Sequence, residues 1–366
     1  MATIAAEDRT ALTDSLRRLL ADRSTEADVR RAMETPDGYD PSLWRQLAEM
    51  GVVGLVVDEE YGGVGAGPVE LEAVMEEAGA ALLCAPLISS GVLAAGLLQA
   101  LGDADAKARL LPGIADGSKI ATVALTGPKA GWTVDSVAVT ASGGGLHGVA
   151  GFVTDAQIAD LLLVAAWDAG KIAIFEVEPG AKGLSIKPLP TFDHTLRLAE
   201  PTFAGTPARK LAASADAWAA VEKALDLARV ALAGEEAGGA KRAMEITVDY
   251  AKTRVQFGRL IGSFQAIKHM AADILLEAES AVSAARHAAR ALADGAPDAA
   301  SAISLASFAC ADAFSVVTAQ AIQMHGGIAF TWAHPAHLYL RRARADAQLF
   351  GTSAAYRERF LTELGA

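Results

Sequence analysis

The stretch Tyr250-Ala251-Lys252-Thr253-Arg254-Val255-Gln256-Phe257-Gly258-Arg259-Leu260-Ile261-Gly262-Ser263-Phe264-Gln265-Ala266-Ile267-Lys268-His269-Met270-Ala271-Ala272-Asp273 decides how this chain is read. A helical pattern arrives at Arg254, breaks at Phe257-Gly258, loops past Gly262 and restarts at Ser263. Ser263 is placed to cap the new helix by accepting a backbone N–H, and Ile267, Met270 and Ile274 follow at helical spacing. The joint sets a cation (Arg254), an aromatic ring (Phe257) and an amide (Gln265) beside a helix N-terminus, which suits a phosphate or polar cofactor. Spacing alone also describes an ordinary helix–helix turn with a surface arginine.

At 366 residues the chain has length for two or three domains. Its formal net charge of −12 and lack of a basic run argue against nucleic acid or an anionic membrane surface as partner. Abundant alanine and few aromatics favour closely packed helices over an all-β fold. The two cysteines, Cys84 and Cys310, have no ligand-spaced neighbours and read as reduced core residues. No signal peptide is evident, and no apolar run approaches the roughly 20 residues of a membrane span. A cytoplasmic protein is expected.

Residues 1–117 read as a helical domain. Leu12, Leu16, Leu19 and Leu20 mark one helix, Pro41–Met50 another ended by Gly51, and helical patterns resume at 70–79, 87–101 and 104–115. Tyr61-Gly62-Gly63-Val64-Gly65-Ala66-Gly67-Pro68 lacks the G-x-G-x-x-G spacing and reads as a flexible connection. Residues 118–206 change character. Short β-rich runs at 120–125, 134–140, 161–166, 172–177 and 184–188, with a hairpin tip at Ser142-Gly143-Gly144-Gly145, predict a compact β-domain. It is a barrel or sandwich rather than a parallel sheet, because the strands do not alternate with helices. Residues 207–366 return to helices, at 217–253, 264–292, 298–324, 335–347 and 353–364, and predict a bundle. The fold class is α+β: helices, β-domain, helix bundle.

That order, with Arg254-Val255-Gln256-Phe257-Gly258 and Gln265, then Gln323-Met324-His325-Gly326-Gly327, then Gly351-Thr352-Ser353, resembles the acyl-CoA dehydrogenase family over essentially the full length. The run Ile322–Trp332, followed by His337-Leu338-Tyr339, is similar to an actinobacterial branch. The resemblance implies FAD-dependent α,β-dehydrogenation of an acyl-CoA thioester. A carboxylate takes the α-proton, a hydride goes to the flavin, and electrons pass to an electron-transfer flavoprotein. It also implies a flavin lying between two subunits. Arg254, Phe257, Gln265, Gln323, Gly326 and Gly327 match the residues that the family lends to the neighbour's flavin. The own-subunit half departs more. The usual Thr-Glu-Pro-x-Ala-Gly-Ser reads here Thr126-Gly127-Pro128-Lys129-Ala130-Gly131-Trp132, and the usual Trp-Ile-Thr reads Phe152-Val153-Thr154. Thr126, Phe152, Thr154 and Thr352 remain as candidate flavin contacts, and Arg229 as a candidate substrate contact.

The base is the main departure. The family places a glutamate before Gly-Thr, here Phe350, or before an arginine early in the first bundle helix, here Ala228-Arg229. Neither Phe350 nor Ala228 takes a proton. The nearby carboxylates are Asp226, Glu235, Glu236 and Asp346. Glu235 lies about 10 Å along the helix from Ala228, and Asp346 one turn before Phe350. Three readings follow. The chain is a subunit lending flavin contacts to a homologous catalytic partner; or a self-sufficient homo-oligomer with a displaced base, Asp346 or Glu235; or a relative resembling flavin monooxygenases. His325, His334 and His337 cluster without ligand spacing, so no metal is expected. Arg341-Arg342-Ala343-Arg344 reads as a solvated helix face or a phosphate contact.

Overall fold

The computed structural model describes residues 5–129, 131–213 and 216–365. The first four residues and Ala130 of the β-domain motif lie outside the described residues. Helices α1 (Ala6–Arg23), α2 (Glu26–Glu34) and α3 (Pro41–Glu49) open the chain. Helix α3 starts where Asp40 accepts the Ser42 N–H at 2.8 Å and Pro41 fits the first turn, and it buries Leu43, Trp44 and Leu47. Helix α4 (Pro68–Ala80) follows, then a wide π-helical segment (Leu87–Ala94) running into α5 (Ala95–Leu101), then α6 (Ala104–Ala115), capped by Asp103. The glycine-rich stretch before α4 is not a loose tether: Val64, Gly65 and Ala66 donate to the carbonyls of Gly54, Val57 and Leu55 at 2.8–3.0 Å.

Strands β1 (Ala121–Ala124), β2 (Thr140–Ser142), β3 (Gly145–Val149), β4 (Val153–Thr154), β5 (Leu161–Asp168), β6 (Lys171–Val177), β7 (Leu184–Pro188), β8 (Leu198–Thr206) and β9 (Arg209–Lys210) form one nine-stranded sheet. Its path is β4-β8-β3-β2-β5-β6-β9, with β1 on β5 and β7 on β8. Only the β1–β5 and β2–β5 pairs are parallel among the described residues. Leu146, Leu162, Val164, Phe175 and Phe203 fill its core. The hairpin tip lies where expected, with Gly143 and Gly144 at φ 59° and 83° between the paired Ser142 and Gly145. The expected strand at 134–140 is instead a 3₁₀ turn (Val134–Ser136) with only Thr140 entering the sheet.

The helical remainder is α7 (Ala217–Thr253), a hairpin of β10 (Val255–Gln256) and β11 (Arg259–Leu260), α8 (Gln265–Ala293), α9 (Ala299–His325), a 3₁₀ segment (Gly326–Phe330), α10 (Ala336–Asp346) and α11 (Ser353–Glu363). The chain gathers into two compact units. Among the described residues, one holds 32–67 and 84–228, and the other holds 5–31, 68–83 and 229–365. Alanine's abundance is explained in the second unit. Ala233 and Ala237 of α7, Ala281 and Ala285 of α8, and Ala306 and Cys310 of α9 make a core of small side chains that lets the helices approach closely. Glycine does the same between α4 and α7: a Cβ at Gly238 would fall on the Glu76 carbonyl, and one at Gly79 on that of Glu235.

One expectation is corrected outright. The segment Ala299–Phe330 is long and apolar enough by composition to cross a membrane, although 61% of its most apolar stretch is buried inside the protein. Small residues with interspersed Ser and Thr hide that length from a search for bulky apolar runs. In the bundle it is a core helix, with Phe314, Val317 and Cys310 at most 1% exposed.

Candidate functional site

The joint that opened the sequence is a β-hairpin. Val255 pairs with Leu260 and Gln256 with Arg259, which leaves a two-residue turn, Phe257-Gly258, at φ 53° and 76°. Positive φ at both turn residues matches the right-handed twist of such short ribbons. Ile261 N–H returns to the Arg254 carbonyl at 2.8 Å and closes the base. Phe264 braces the hairpin, with the Arg259 guanidinium 3.9 Å over its ring and Phe257 edge-on at 6.2 Å. Ser263 does not cap α8. Its hydroxyl donates back to the Leu260 carbonyl at 2.7 Å, and Phe264 occupies the cap position without a side-chain bond. The first-turn N–H groups of α8 are therefore left without a side-chain cap.

Within the same unit the hairpin is tied to the Gln323–Gly327 turn. Tyr250, one turn before Arg254, stacks on His325 at 4.4 Å, and His325 contacts His334 at 4.4 Å. Arg254, Phe257, Gln265, Gln323, Gly326 and Gly327 are all exposed, Phe257 to 91%. Arg254 makes no ion pair among the described residues. Gly326 adopts φ 67°, ψ −147°, a region open only to glycine, and nothing lies within 4 Å of where a Cβ would sit on Gly326 or Gly327. Apolar rings surround the set, with Phe330 79% and Trp332 55% exposed. These six residues thus form an outward-facing group with a cation, an aromatic, two amides and approachable backbone.

The β-domain candidates sit together in the other unit. Thr126 is 2% exposed and donates to the Gly151 carbonyl at 3.3 Å, while Gly151 N–H donates to the Thr126 carbonyl at 2.8 Å. Phe152 has φ 55°, a strained value for a bulky residue, and Thr154 is buried, its carbonyl taken by Thr122. The loop that departs from the family is folded on itself. Gly127 N–H donates to Ser136, and a Cβ at Gly127 would lie 2.7 Å from that of Ala138. Position 127 has no room for the missing acidic side chain.

At the two base positions there is no carboxylate. Phe350 is 1% exposed at φ 60°, and its carbonyl accepts the Tyr356 hydroxyl at 2.7 Å. Arg229 Nε donates to that hydroxyl at 3.4 Å, so Arg229 and Tyr356 together lock the turn, and Arg229 is only 5% exposed. Thr352 caps α11 by accepting the Ala355 N–H at 3.3 Å. The two carboxylates proposed as displaced bases share one cation: Arg342 pairs with Glu235, and its Nε lies 3.1 Å from Asp346 Oδ1, all three buried. The expected solvated face at 341–344 is therefore split, Arg342 facing inward and Arg341 stacking over Trp332. Glu236, counted among the nearby carboxylates but not offered as a displaced base, has surroundings of its own. It is 2% exposed beside Arg229, Ser307 and Tyr356, and burial, then Asp346 and Glu235, pushes its carboxyl well above the ordinary range. The available signal was two adjacent glutamates in the run Ala233-Gly234-Glu235-Glu236-Ala237-Gly238-Gly239, otherwise made of core-sized residues. His325 and His334 meet as tilted rings, His337 lies edge-on to Trp332, and among the described residues no cluster of three His, Cys, Asp or Glu converges as a metal site.

Known proteins resemble this chain along most of its length. The family described as "Acyl-CoA dehydrogenase, N-terminal domain" matches residues 6–118, and "Acyl-CoA dehydrogenase, C-terminal domain" matches residues 216–364. A relative from Mycolicibacterium smegmatis, acyl-CoA dehydrogenase IpdE2, is 34% identical over 94% of this chain and 95% of its own. The solved structure of a variant of the Tcur3481-Tcur3483 steroid ACAD is 31% identical with a TM-score of 0.87, covering 98% of each chain. The ChsE4-ChsE5 complex from Mycobacterium tuberculosis gives 26% identity and a TM-score of 0.89 over 100% of this chain and 99% of that one.

Proposed function

This chain belongs to the acyl-CoA dehydrogenase family of FAD-dependent oxidoreductases, and from that premise we propose that it is the non-catalytic member of a heteromeric enzyme, lending half of a flavin site to a homologous partner subunit. One observation carries the reading. The residues matching the lent half are intact and face outward, whereas Ala228 and Phe350 stand where a proton-abstracting carboxylate belongs. The lent set fits the cofactor. Arg254 has no counter-ion among the described residues and can meet a pyrophosphate, Gln265 and Gln323 offer exposed amides, and Gly326 and Gly327 leave backbone approachable. Bound FAD supplies the hydride acceptor for the acyl β-carbon. This chain's own residues bind and orient that group. Phe257 and the rings around it exclude water, and the partner's carboxylate handles the α-proton in the dry pocket such chemistry needs.

The paired names of two similar structures support a paired assembly, and the word steroid in one supports a bulky, polycyclic acyl-CoA as substrate. An electron-transfer flavoprotein is the corresponding electron acceptor. The test is to purify the chain alone and with a co-expressed homologous neighbour. Flavin retention and acyl-CoA-dependent bleaching are expected only in the pair; a fully flavin-loaded, substrate-bleached homomer sinks the proposal.

A second reading, a self-sufficient homomer, gains one specific support in Glu236, a buried carboxyl beside Arg229 and Gly351 with its proton affinity raised. In that case Glu236→Gln abolishes turnover by the homomer while leaving its flavin in place. Glu235 and Asp346 are poorer candidates, since Arg342 holds both.

A further inference from the structure

We propose that a cleft floored by Glu72 binds a small phosphate-type oxyanion, at a place that neither the flavin contacts nor the acyl-CoA reading uses. The cleft, about 290 Å³, opens among α1, α4, α7 and α8 within one compact unit. Glu72 is 3% exposed, and its Oε1 has no hydrogen-bond partner. A buried oxygen left unsatisfied is destabilising until something completes it. Burial first, and Glu76 next, push this carboxyl up to about 8, against the opposing pull of Arg286, Arg290 and Arg9. At neutral pH Glu72 is therefore an uncharged acid with an O–H to donate.

The walls are cationic on a chain whose net charge is −12. Helix α1 brings Arg9 and Arg17, α7 brings Lys241, and α8 brings Arg286 and Arg290. Most have carboxylates: Arg9 lies 3.3 Å from Glu70, Arg17 is bonded to Glu77, and Arg286 and Lys241 share Glu76 at 2.8 and 3.7 Å. Arg290 has no ion-pair partner among the described residues. Glu76 and Glu77 line the cleft beside five basic side chains, while Glu70 pairs with Arg9 and Asp14 is a second partner of Arg17. The groups left over, an O–H and a guanidinium, are donors, so the occupant has to accept hydrogen bonds and carry negative charge. The floor is rigid, because a Cβ on Gly234 would lie 2.7 Å from the Glu72 carbonyl and none is there to hold α4 off α7. A cleft of this size takes a phosphate or pyrophosphate.

Sulfate, which does not titrate between pH 6.5 and 9.5, is the clean probe, with pyrophosphate as the second. Calorimetric titration of the full chain is expected to show saturable binding that weakens at least tenfold in Arg290→Gln. Affinity for sulfate is expected to fall as pH rises through about 8 in the native chain, because ionised Glu72 repels the anion. Glu72→Gln keeps a donor without a titration, so it should bind sulfate at pH 7 and lose that fall. Absence of saturable binding by the folded native chain overturns the proposal. So does indifference to Arg290→Gln in a variant with an unchanged melting profile, or the same pH profile in Glu72→Gln.

Discussion

Single positions carry much of the functional argument. Gly127 stands where the family has an acidic residue, and Ala138 and Ser136 have closed the space that residue would need. Gly127→Glu is therefore expected to destabilise the chain by about 1–3 kcal/mol in urea unfolding, the range for overpacking, without improving flavin retention. Phe257 is the opposite case. At 91% exposure it contributes little to the chain's own stability, so Phe257→Ala should leave the unfolding midpoint within about 0.5 kcal/mol yet increase the rate of flavin loss from the assembled pair. The histidines under the Gly326 turn add a pH dependence. Burial, then Arg30 and Arg341, pulls His337 down to about 4, and burial also lowers His325 and His334. Between the ordinary value of 6.5 and about 4 the unfolded chain binds more protons than the folded one. The stability of the neutral histidines is thus present above pH 6.5 and lost as pH falls through that window. Urea unfolding at pH 7 and pH 5 should show the loss, and His337→Phe should reduce it.

At the level of elements, legibility followed local chemistry. Helix α6 and strand β7 have the predicted limits because Asp103 caps one and period-two apolar residues line the other. Strand β8 escaped notice: Leu198-Ala199-Glu200-Pro201-Thr202-Phe203-Ala204-Gly205-Thr206 contains a proline and a glycine that argue against a sheet interior, and only its partners β3, β4 and β7 make it a strand. The hairpin after α7 was read as a break, since two-residue strands are too short to show alternation. The proposed flavin contacts are read from two short motifs, so they need no knowledge of the fold. The surroundings of Glu236 are not readable that way, because they are assembled by helices far apart in sequence. The α4–α7 crossing yields a further prediction. Gly238→Ala forces a methyl onto the Glu76 carbonyl, and a loss of about 3 kcal/mol or more is expected in chemical unfolding, far beyond the small helix-propensity gain of alanine.

For the whole molecule, the three-part order of helices, β-domain and bundle was readable from changes in composition along the chain. The packing into two compact units was not, because residues 68–83 join the unit that begins again at 229. Such long-range assembly depends on surfaces no local window contains. Assembly is also where the proposed function is measured: the pair should hold one FAD per two chains, read by absorbance against protein mass, whereas two self-sufficient subunits would hold two. The hairpin tip has a last consequence, for the protein's lifetime in the cell. Under the proposed pairing, a copy left unassembled displays Phe257, Phe330 and Trp332 to solvent, the kind of surface that chaperones grip and proteases sample. Unassembled copies would then be cleared in proportion to their excess. The abundance of this subunit would be set less by its own synthesis than by how much partner is there to cover that finger.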